Sequence, residues 1–247
     1  MTIIFVGPTL PARVCREMLP EATVLPPAAC GDIYRAWQRG ARTIVLVDGS
    51  FDHRLAVWHK EILWAISRGV AIIGTSSMGA LRAAELHDFG MIGHGRVFQW
   101  FREEALEDDD EVAVAHEPGE RDYRPSSEAL VNIRVTLALA RNEQIVSATA
   151  AEALGTIAKR LFYPERTYPE ILRRAAPPVL APVDHERLTG WLRINAIDQK
   201  RADAVGLLAQ LRKGWKPEAS SATSFHFEYT EAWHALRTRL DGRAPST

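Results

Sequence analysis

Short hydrophobic runs alternate with helix-like periodicity in the first third of the chain. The runs are rich in β-branched residues and predict strands at residues 3–6, 43–47 and 70–73, because continuous apolar runs are typical of strands covered on both faces. The segments between them predict helices at 11–19, 33–39 and 54–68. A βαβαβ order implies a parallel sheet, so the expected fold class is α/β with a Rossmann-like core. Residues 23–25, before two prolines, are expected to form an edge strand or a loop.

Beyond residue 126 the periodicity is helical almost throughout. The helices are predicted at residues 127–142, 147–161, 168–175, 184–195, 198–211 and 231–240. We therefore expect an α/β domain over residues 1–125 and a mostly helical region over 126–213 packed on it. Residues 214–247 are expected to form a linker, a short helix and a flexible tail.

An aromatic patch, an acidic run and a polar loop separate these two regions, at residues 98–101, 103–111 and 116–125. We interpret the whole stretch as a surface excursion. Four adjacent acids at positions 108–111 do not point at one centre in a helix or a strand, so a solvated face or docking patch is favoured over a cation site.

Composition excludes several classes of function. The formal net charge of −1 gives no electrostatic basis for binding nucleic acid or an anionic membrane. No apolar run approaches membrane length and the N-terminus lacks a basic start. The two cysteines, Cys15 and Cys30, predict neither a disulfide framework nor a zinc site, which favours a reducing cytoplasm. No dinucleotide or phosphate-loop motif is present, so no cofactor and no metal are expected.

The carboxyl ends of parallel strands meet at one edge of the sheet, where ligands bind. Segments 7–9, 48–50 and 74–79 should gather there and form the candidate site. Ser76 and Ser77 stand between a strand and a small-residue helix, the geometry that projects a nucleophile beside backbone N–H groups able to hold an oxyanion. Helix capping is the alternative explanation. Ser77 is favoured as the nucleophile because it lies nearest the helix amides, and Ser76 remains the rival.

Lys60 is the candidate general base, since its neighbours in the predicted helix are apolar and burial lowers the pKa of an amine. The alternative is a side chain that extends its charged end to water. The block His59-Lys60-Glu61 in an otherwise apolar helix indicates a polar patch embedded in the core.

Two further residues could support the chemistry. Asp48 ends the middle strand and could orient the lysine or a water, or form an Asx turn with Gly49. Arg82 could pair with Glu85 three residues later, or clamp a substrate carboxylate.

Several motifs in this order resemble the TfuA-like family over roughly residues 3–213. They are Gly-Pro-Thr-Leu at 7–10, Pro-Pro at 26–27 with Gly-Asp at 31–32, Asp-Gly-x-Phe at 48–51, His-Lys-Glu-Ile-Leu at 59–63, Ser-Ser-Met-Gly-Ala-Leu-Arg-Ala-Ala-Glu-Leu at 76–86, Asp-Asp-Glu-Val-Ala at 109–113, Val-Asn-Ile-Arg at 131–134 and Asp-x-Lys-Arg-x-Asp at 198–203. The His-Lys-Glu and Ser-Ser-Met-Gly blocks are the specific ones. Thr75 stands where the family pattern leads us to expect a smaller residue.

The resemblance implies a partner of a YcaO enzyme in peptide-backbone thioamidation. It further implies hydrolysis of the C-terminal thiocarboxylate of a ThiS-like sulfur-carrier protein, with a Ser/Lys active site that matches Lys60 and one of Ser76 and Ser77. The N–H groups of Met78 and Gly79 would hold the oxyanion, with Asp48, His59 and Arg82 in support. The alternatives are a non-catalytic adaptor that docks on YcaO through the acidic run and aromatic patch, and a generic esterase or amidase.

Overall fold

A computed structural model describes residues 1–50, 55–175, 177, 179–218 and 225–242. Five strands form one parallel sheet in the order β2-β1-β3-β4-β5. Their bounds are β1 Thr2–Phe5, β2 Thr23–Leu25, β3 Thr43–Leu46, β4 Ala71–Thr75 and β5 Ile92–His94. The α/β fold class is therefore confirmed, and the segment before the two prolines is indeed an edge strand.

Eleven α-helices occur in the described part of the chain. They are α1 Ala12–Met18, α2 Asp32–Gln38, α3 His59–Ser67, α4 Met78–Leu86, α5 Arg96–Arg102, α6 Leu130–Asn142, α7 Ala148–Arg160, α8 Tyr168–Arg174, α9 Pro182–Asn195, α10 Gln199–Arg212 and α11 Glu231–Asp241. Short 3-10 turns lie at His87–Phe89, Asp109–Glu111, Gly119–Arg121 and Tyr163–Glu165. None of the helices described is both long and apolar enough to cross a membrane.

The hydrophobic pattern of the sequence did not predict two of the observed elements. Strand β5 has three residues and ends at His94, with Gly93 at its centre, so it carries no hydrophobic run. The aromatic patch that follows is helix α5, whose Phe98 ring lies over Gly93.

Helix α3 begins later than predicted. Its N-cap, Trp58, is extended with φ −77° and ψ 139°, and residues 55–58 are not helical. The Glu61 side chain accepts a 2.9 Å hydrogen bond from the Trp58 N–H, a capping contact that fixes the first turn at His59. Residue 54, the predicted start, lies outside the described residues.

The sheet is covered on both faces. On one face, Ile3, Ile44 and Ile72 belong to a core shared with helices α2 to α5. On the other face, helices α1 and α10 bury Ile4, Val45 and Ile73, together with Ala204, Leu207 and Leu208 of α10. A helix from the C-terminal half thus completes the layer over the N-terminal sheet.

Two smaller cores complete the molecule. Helices α6 to α9 share a hydrophobic cluster of their own. Helix α11 packs on α2 and α3 through an aromatic cluster formed by Tyr34, Trp64 and Trp233 with Leu236 and Leu240. The division into residues 1–125, 126–213 and 214–247 stays a prediction, and all of the predicted tail at 242–247 except Gly242 lies outside the described residues.

Candidate functional site

Asp48 joins two loops at the carboxyl edge of the sheet. Its Oδ2 accepts hydrogen bonds from the N–H groups of Gly7 at 2.8 Å and Thr9 at 3.0 Å, and its Oδ1 accepts one from the Thr9 hydroxyl at 2.6 Å. The side chain is buried, with 2% of the residue exposed. Asp48 therefore holds the loop after β1 in place, which is neither of the two roles considered from the sequence.

Two glycines let helix α4 approach the sheet closely. A Cβ on Gly79 would lie 1.7 Å from the Leu46 carbonyl oxygen, and one on Gly74 would lie 1.9 Å from the carbonyl oxygen of Gly79. The N–H of Gly79 donates to the Val47 carbonyl at 3.2 Å. An oxyanion contact from Gly79 would compete with that bond, whereas the N–H of Met78 opens the helix and needs no partner within it.

The chain passes from β4 to α4 through a tight turn centred on Ser76. The Ser77 N–H donates to the Thr75 carbonyl at 2.8 Å, and Ser76 has a φ of 68°. A three-residue turn with positive φ is a rare and strained γ-turn, and such strain is concentrated at functional sites. Ser76 is fully buried, and its Oγ lies 3.3 Å from the Thr75 Oγ1.

Ser77 is the N-cap residue of α4, yet its side chain does not cap the helix. Only 3% of the residue is exposed. No described residue forms a hydrogen bond with its hydroxyl. The capping explanation therefore fails for Ser77, and its hydroxyl remains available for chemistry.

Ser77 lines a cavity of about 420 Å³ at this edge of the sheet. Asp48, His116, Tyr123 and Tyr163 line it as well. The volume falls in the range of small-molecule sites. The polar loop 116–125 runs over the surface, as expected, with residues 118–122, 124 and 125 exposed. In addition, three of its residues form part of the cavity wall.

His116 is a site residue that the sequence analysis missed. Its Nδ1 lies 2.8 Å from the carbonyl oxygen of Glu117, and its ring contacts the edge of Tyr123 with centroids 5.6 Å apart. No sequence signal marks it, because the loop and the serines are brought together by the fold alone.

Lys60 lies on the first turn of α3 and is half-buried. Its Nζ sits 4.8 Å from the centroid of the Phe227 ring. No hydrogen bond joins this amine to Ser76 or Ser77, both of which lie in the described part of the chain. Lys60 also does not line the cavity beside Ser77, which we call the serine cavity. Its assignment as the general base stays a prediction.

Glu61, rather than Lys60, is the fully buried member of the His-Lys-Glu block. Its carboxylate accepts hydrogen bonds from the N–H groups of Gly31 and Ile33 at 3.0 and 3.1 Å, at the start of α2. Burial raises the pKa of Glu61 to about 7, against the opposing effect of these backbone donors. The block is therefore not embedded in the core as a whole: His59 is exposed and Lys60 is half-buried, and only Glu61 is buried, where it links α3 to α2.

Arg82 and His59 both bind Glu85. The Arg82 Nη1 and the His59 Nε2 lie 2.6 and 2.8 Å from the same Glu85 oxygen. Although partial burial acts to raise it, the pKa of Glu85 is held below its ordinary value by these two hydrogen bonds. The intrahelical ion pair is thus the observed role of Arg82, and neither His59 nor Arg82 lines the serine cavity.

Lys200 is the buried amine near the site. Only 3% of the residue is exposed, and its Nζ donates a 2.6 Å hydrogen bond to the carbonyl oxygen of Val112, which lines the cavity. Burial lowers the pKa of Lys200, and the negative charge of Asp48 opposes that effect. Its only sequence signal is its place in the Asp-x-Lys-Arg motif at 198–201.

Among the described residues, the acidic run is paired with basic side chains of the same chain only at its C-terminal end. Glu111 receives two hydrogen bonds from Arg134, at 2.9 and 2.7 Å, and Asp110 pairs with the fully buried Arg166 at 2.6 Å. Lys159 contacts Asp108 at 2.7 Å. The expected solvated face fits Asp108 and Asp109, which are exposed, but not Glu111, which is buried. The docking patch stays a prediction. The described residues contain no acidic or histidine cluster arranged to hold a metal.

Comparison with known proteins gives one family. The sequence model described as TfuA-like protein matches residues 48–167, a segment that begins at Asp48 and includes both serines and His116. A comparison with curated proteins found no match. The family implies a role with YcaO enzymes in thioamidation. The match confirms the predicted resemblance to the TfuA-like family over residues 48–167.

Proposed function

We propose that this protein hydrolyses the C-terminal thiocarboxylate of a ThiS-like sulfur carrier and so supplies sulfide to a YcaO enzyme. The observation that carries the proposal is the hydroxyl of Ser77, which no described residue binds, in a cavity at the carboxyl edge of a parallel sheet. A cavity of about 420 Å³ has room for the last residues of an extended carrier C-terminus that ends in a thiocarboxylate.

The reaction needs a neutral amine to take the serine proton. The family resemblance points to Lys60, whose amine lies against Phe227. Burial favours Lys200, because desolvation lowers its pKa and its amine is bound to a residue of the cavity wall. Neither amine lines the cavity or forms a hydrogen bond with Ser77 among the described residues, so burial alone makes Lys200 the favoured base and Lys60 the rival.

In the proposed reaction the Ser77 hydroxyl gives its proton to the amine and attacks the thiocarboxylate carbon. The N–H of Met78, at the positive end of α4, stabilises the oxyanion. The carbon–sulfur bond then breaks, sulfide leaves, and water hydrolyses the acyl-serine. Asp48 keeps the loop after β1 in place as one wall of the cavity.

The test is sulfide release from a thiocarboxylated carrier, measured without and with the YcaO partner. Ser77→Ala should reduce release by about 100-fold or more, whereas Ser76→Ala should keep most of it. The reverse result would make Ser76 the nucleophile. Wild-type protein that releases no sulfide, yet strengthens peptide binding by YcaO, would establish the adaptor instead.

A further inference from the structure

His116 is poised for proton transfer in the serine cavity. A carbonyl oxygen can only accept a hydrogen bond, so the contact with Glu117 requires that the His116 Nδ1 carry a proton. In the neutral ring the Nε2 is then the basic nitrogen, with no hydrogen-bond partner among the described residues. The tautomer is fixed by the backbone before any substrate arrives.

The loop that carries His116 is held at both ends. The Ala115 N–H donates to the Ser127 Oγ at 2.8 Å, and the Ser126 N–H donates to the Ala115 carbonyl at 2.8 Å. His116 and Pro125 form an antiparallel bridge. Fixed positions of this kind are what acid–base catalysis requires.

The proposed reaction requires a proton on the sulfur that leaves, and neither Ser77 nor the N–H of Met78 supplies it. When an alkoxide adds to a thiocarboxylate anion, the intermediate carries negative charge on both oxygen and sulfur. Sulfur expelled from it as S²⁻ would be a very poor leaving group, whereas protonated sulfur leaves as HS⁻. Without a proton donor the intermediate would return to the thiocarboxylate.

We propose that His116 is the acid–base residue of this site, an inference that rests on the proposed hydrolysis. The imidazolium gives its Nε2 proton to sulfur as the carbon–sulfur bond breaks, and both electrons of that bond leave with HS⁻. The neutral ring then removes a proton from water, whose oxygen attacks the acyl-serine. The lysine ammonium returns its proton to the departing Ser77 oxygen, so both groups regain their starting states.

Other titratable groups surround His116 and enter any pH dependence. They are Asp48, Tyr123 and Tyr163 in the cavity, Lys200 behind Val112, and the Glu117–Arg121 ion pair on the same loop. A pH effect must therefore be assigned by difference between wild type and a His116 variant.

His116→Asn is the informative variant, because the asparagine amide can still donate to Glu117 but has no group at the Nε2 position. Single-turnover sulfide release should fall by about 100-fold or more, and the part of its pH dependence due to His116 should disappear. An aryl thioester of the carrier provides the control substrate, since its thiolate leaves without a proton. Acylation by this ester should stay within a few-fold of wild type, and acyl-Ser77 should accumulate.

Two outcomes would overturn the role of His116. One is wild-type release and pH dependence in His116→Asn while Ser77→Ala is inactive. The other is an equal loss with thiocarboxylate and aryl thioester, which would indicate a structural role only. Unchanged release in Ser77→Ala would instead reject the proposed serine hydrolysis itself, so the two failures are distinguishable.

Discussion

The Thr9 hydroxyl donates a 2.6 Å hydrogen bond to Oδ1 of Asp48, which joins the loops after β1 and β3. The other carboxylate oxygen accepts two N–H groups of the same loop. Both oxygens are thus acceptors in a buried position, and only a carboxylate can fill that position fully.

Asp48→Asn should lower the free energy of unfolding by about 2 kcal/mol, because an amide NH₂ facing a buried donor leaves that donor unpaired. Thr9→Val removes one neutral donor and should cost less, about 1 kcal/mol. Urea unfolding of both variants measures the difference. Equal stability of Asp48→Asn and wild type would show that Asp48 does not hold the loop.

Lys200→Met should reduce sulfide release far more than Lys60→Met, by about 100-fold or more if Lys200 is the general base. The Lys200 amine is buried beside the cavity wall, whereas that of Lys60 lies on an aromatic ring. Lys213→Met, at the exposed end of the same helix as Lys200, is the matched control and should keep wild-type rates. A larger loss in Lys60→Met would restore the assignment made from the sequence.

Gly79→Ala should destabilise the protein by about 3 kcal/mol or more, since the added methyl would overlap the Leu46 carbonyl and push α4 from the sheet. Gly155 lies inside α7 with nothing within 4 Å of its Cβ position. Gly155→Ala should therefore stabilise the protein by about 0.5 to 1 kcal/mol. Thermal unfolding compares the pair, and equal shifts in both variants would contradict the close approach of α4.

Glu61 should make stability depend on pH. Its pKa is raised from an ordinary 4.5 to about 7, so the folded state binds the extra proton between these values. The free energy of unfolding should then fall by about 3 kcal/mol as the pH rises from 4.5 to 7. Glu61→Gln lacks this titration, so the difference between wild type and variant across that range isolates it. A difference that stays constant with pH would refute the raised pKa.

Sequence patterns predicted local structure well where the hydrophobic period was strong. The strands at residues 43–47 and 70–73 and helices such as 147–161 lie within one or two residues of those observed. The rule that parallel strands share a carboxyl edge also predicted that Asp48 would meet the loop at 7–9. These successes depend on contacts within a segment or on one general rule of sheets.

The chemistry around Ser77 was predicted less completely. Lys60 was expected to be buried among apolar neighbours in a helix that began at residue 54. The observed helix begins only at His59, where Glu61 caps its start, and Glu61 rather than Lys60 takes the buried position. His116 and Lys200 reach the cavity only through the packing of a loop and of α10. Such long-range placement leaves no periodic trace in the sequence.

The aromatic cluster under α11 has a consequence for biosynthesis. The Tyr34 hydroxyl bonds to Asp241, 207 positions later, and Trp233 packs against Trp64. During translation, the aromatic rings of α2 and α3 stay uncovered until residue 241 has left the ribosomal tunnel and α11 can pack on them. One face of the N-terminal sheet likewise stays partly uncovered until α10 has been synthesised. The N-terminal part of the fold is therefore completed only after α10 and α11 have been synthesised, and until then the nascent chain exposes apolar surface that chaperones can shield.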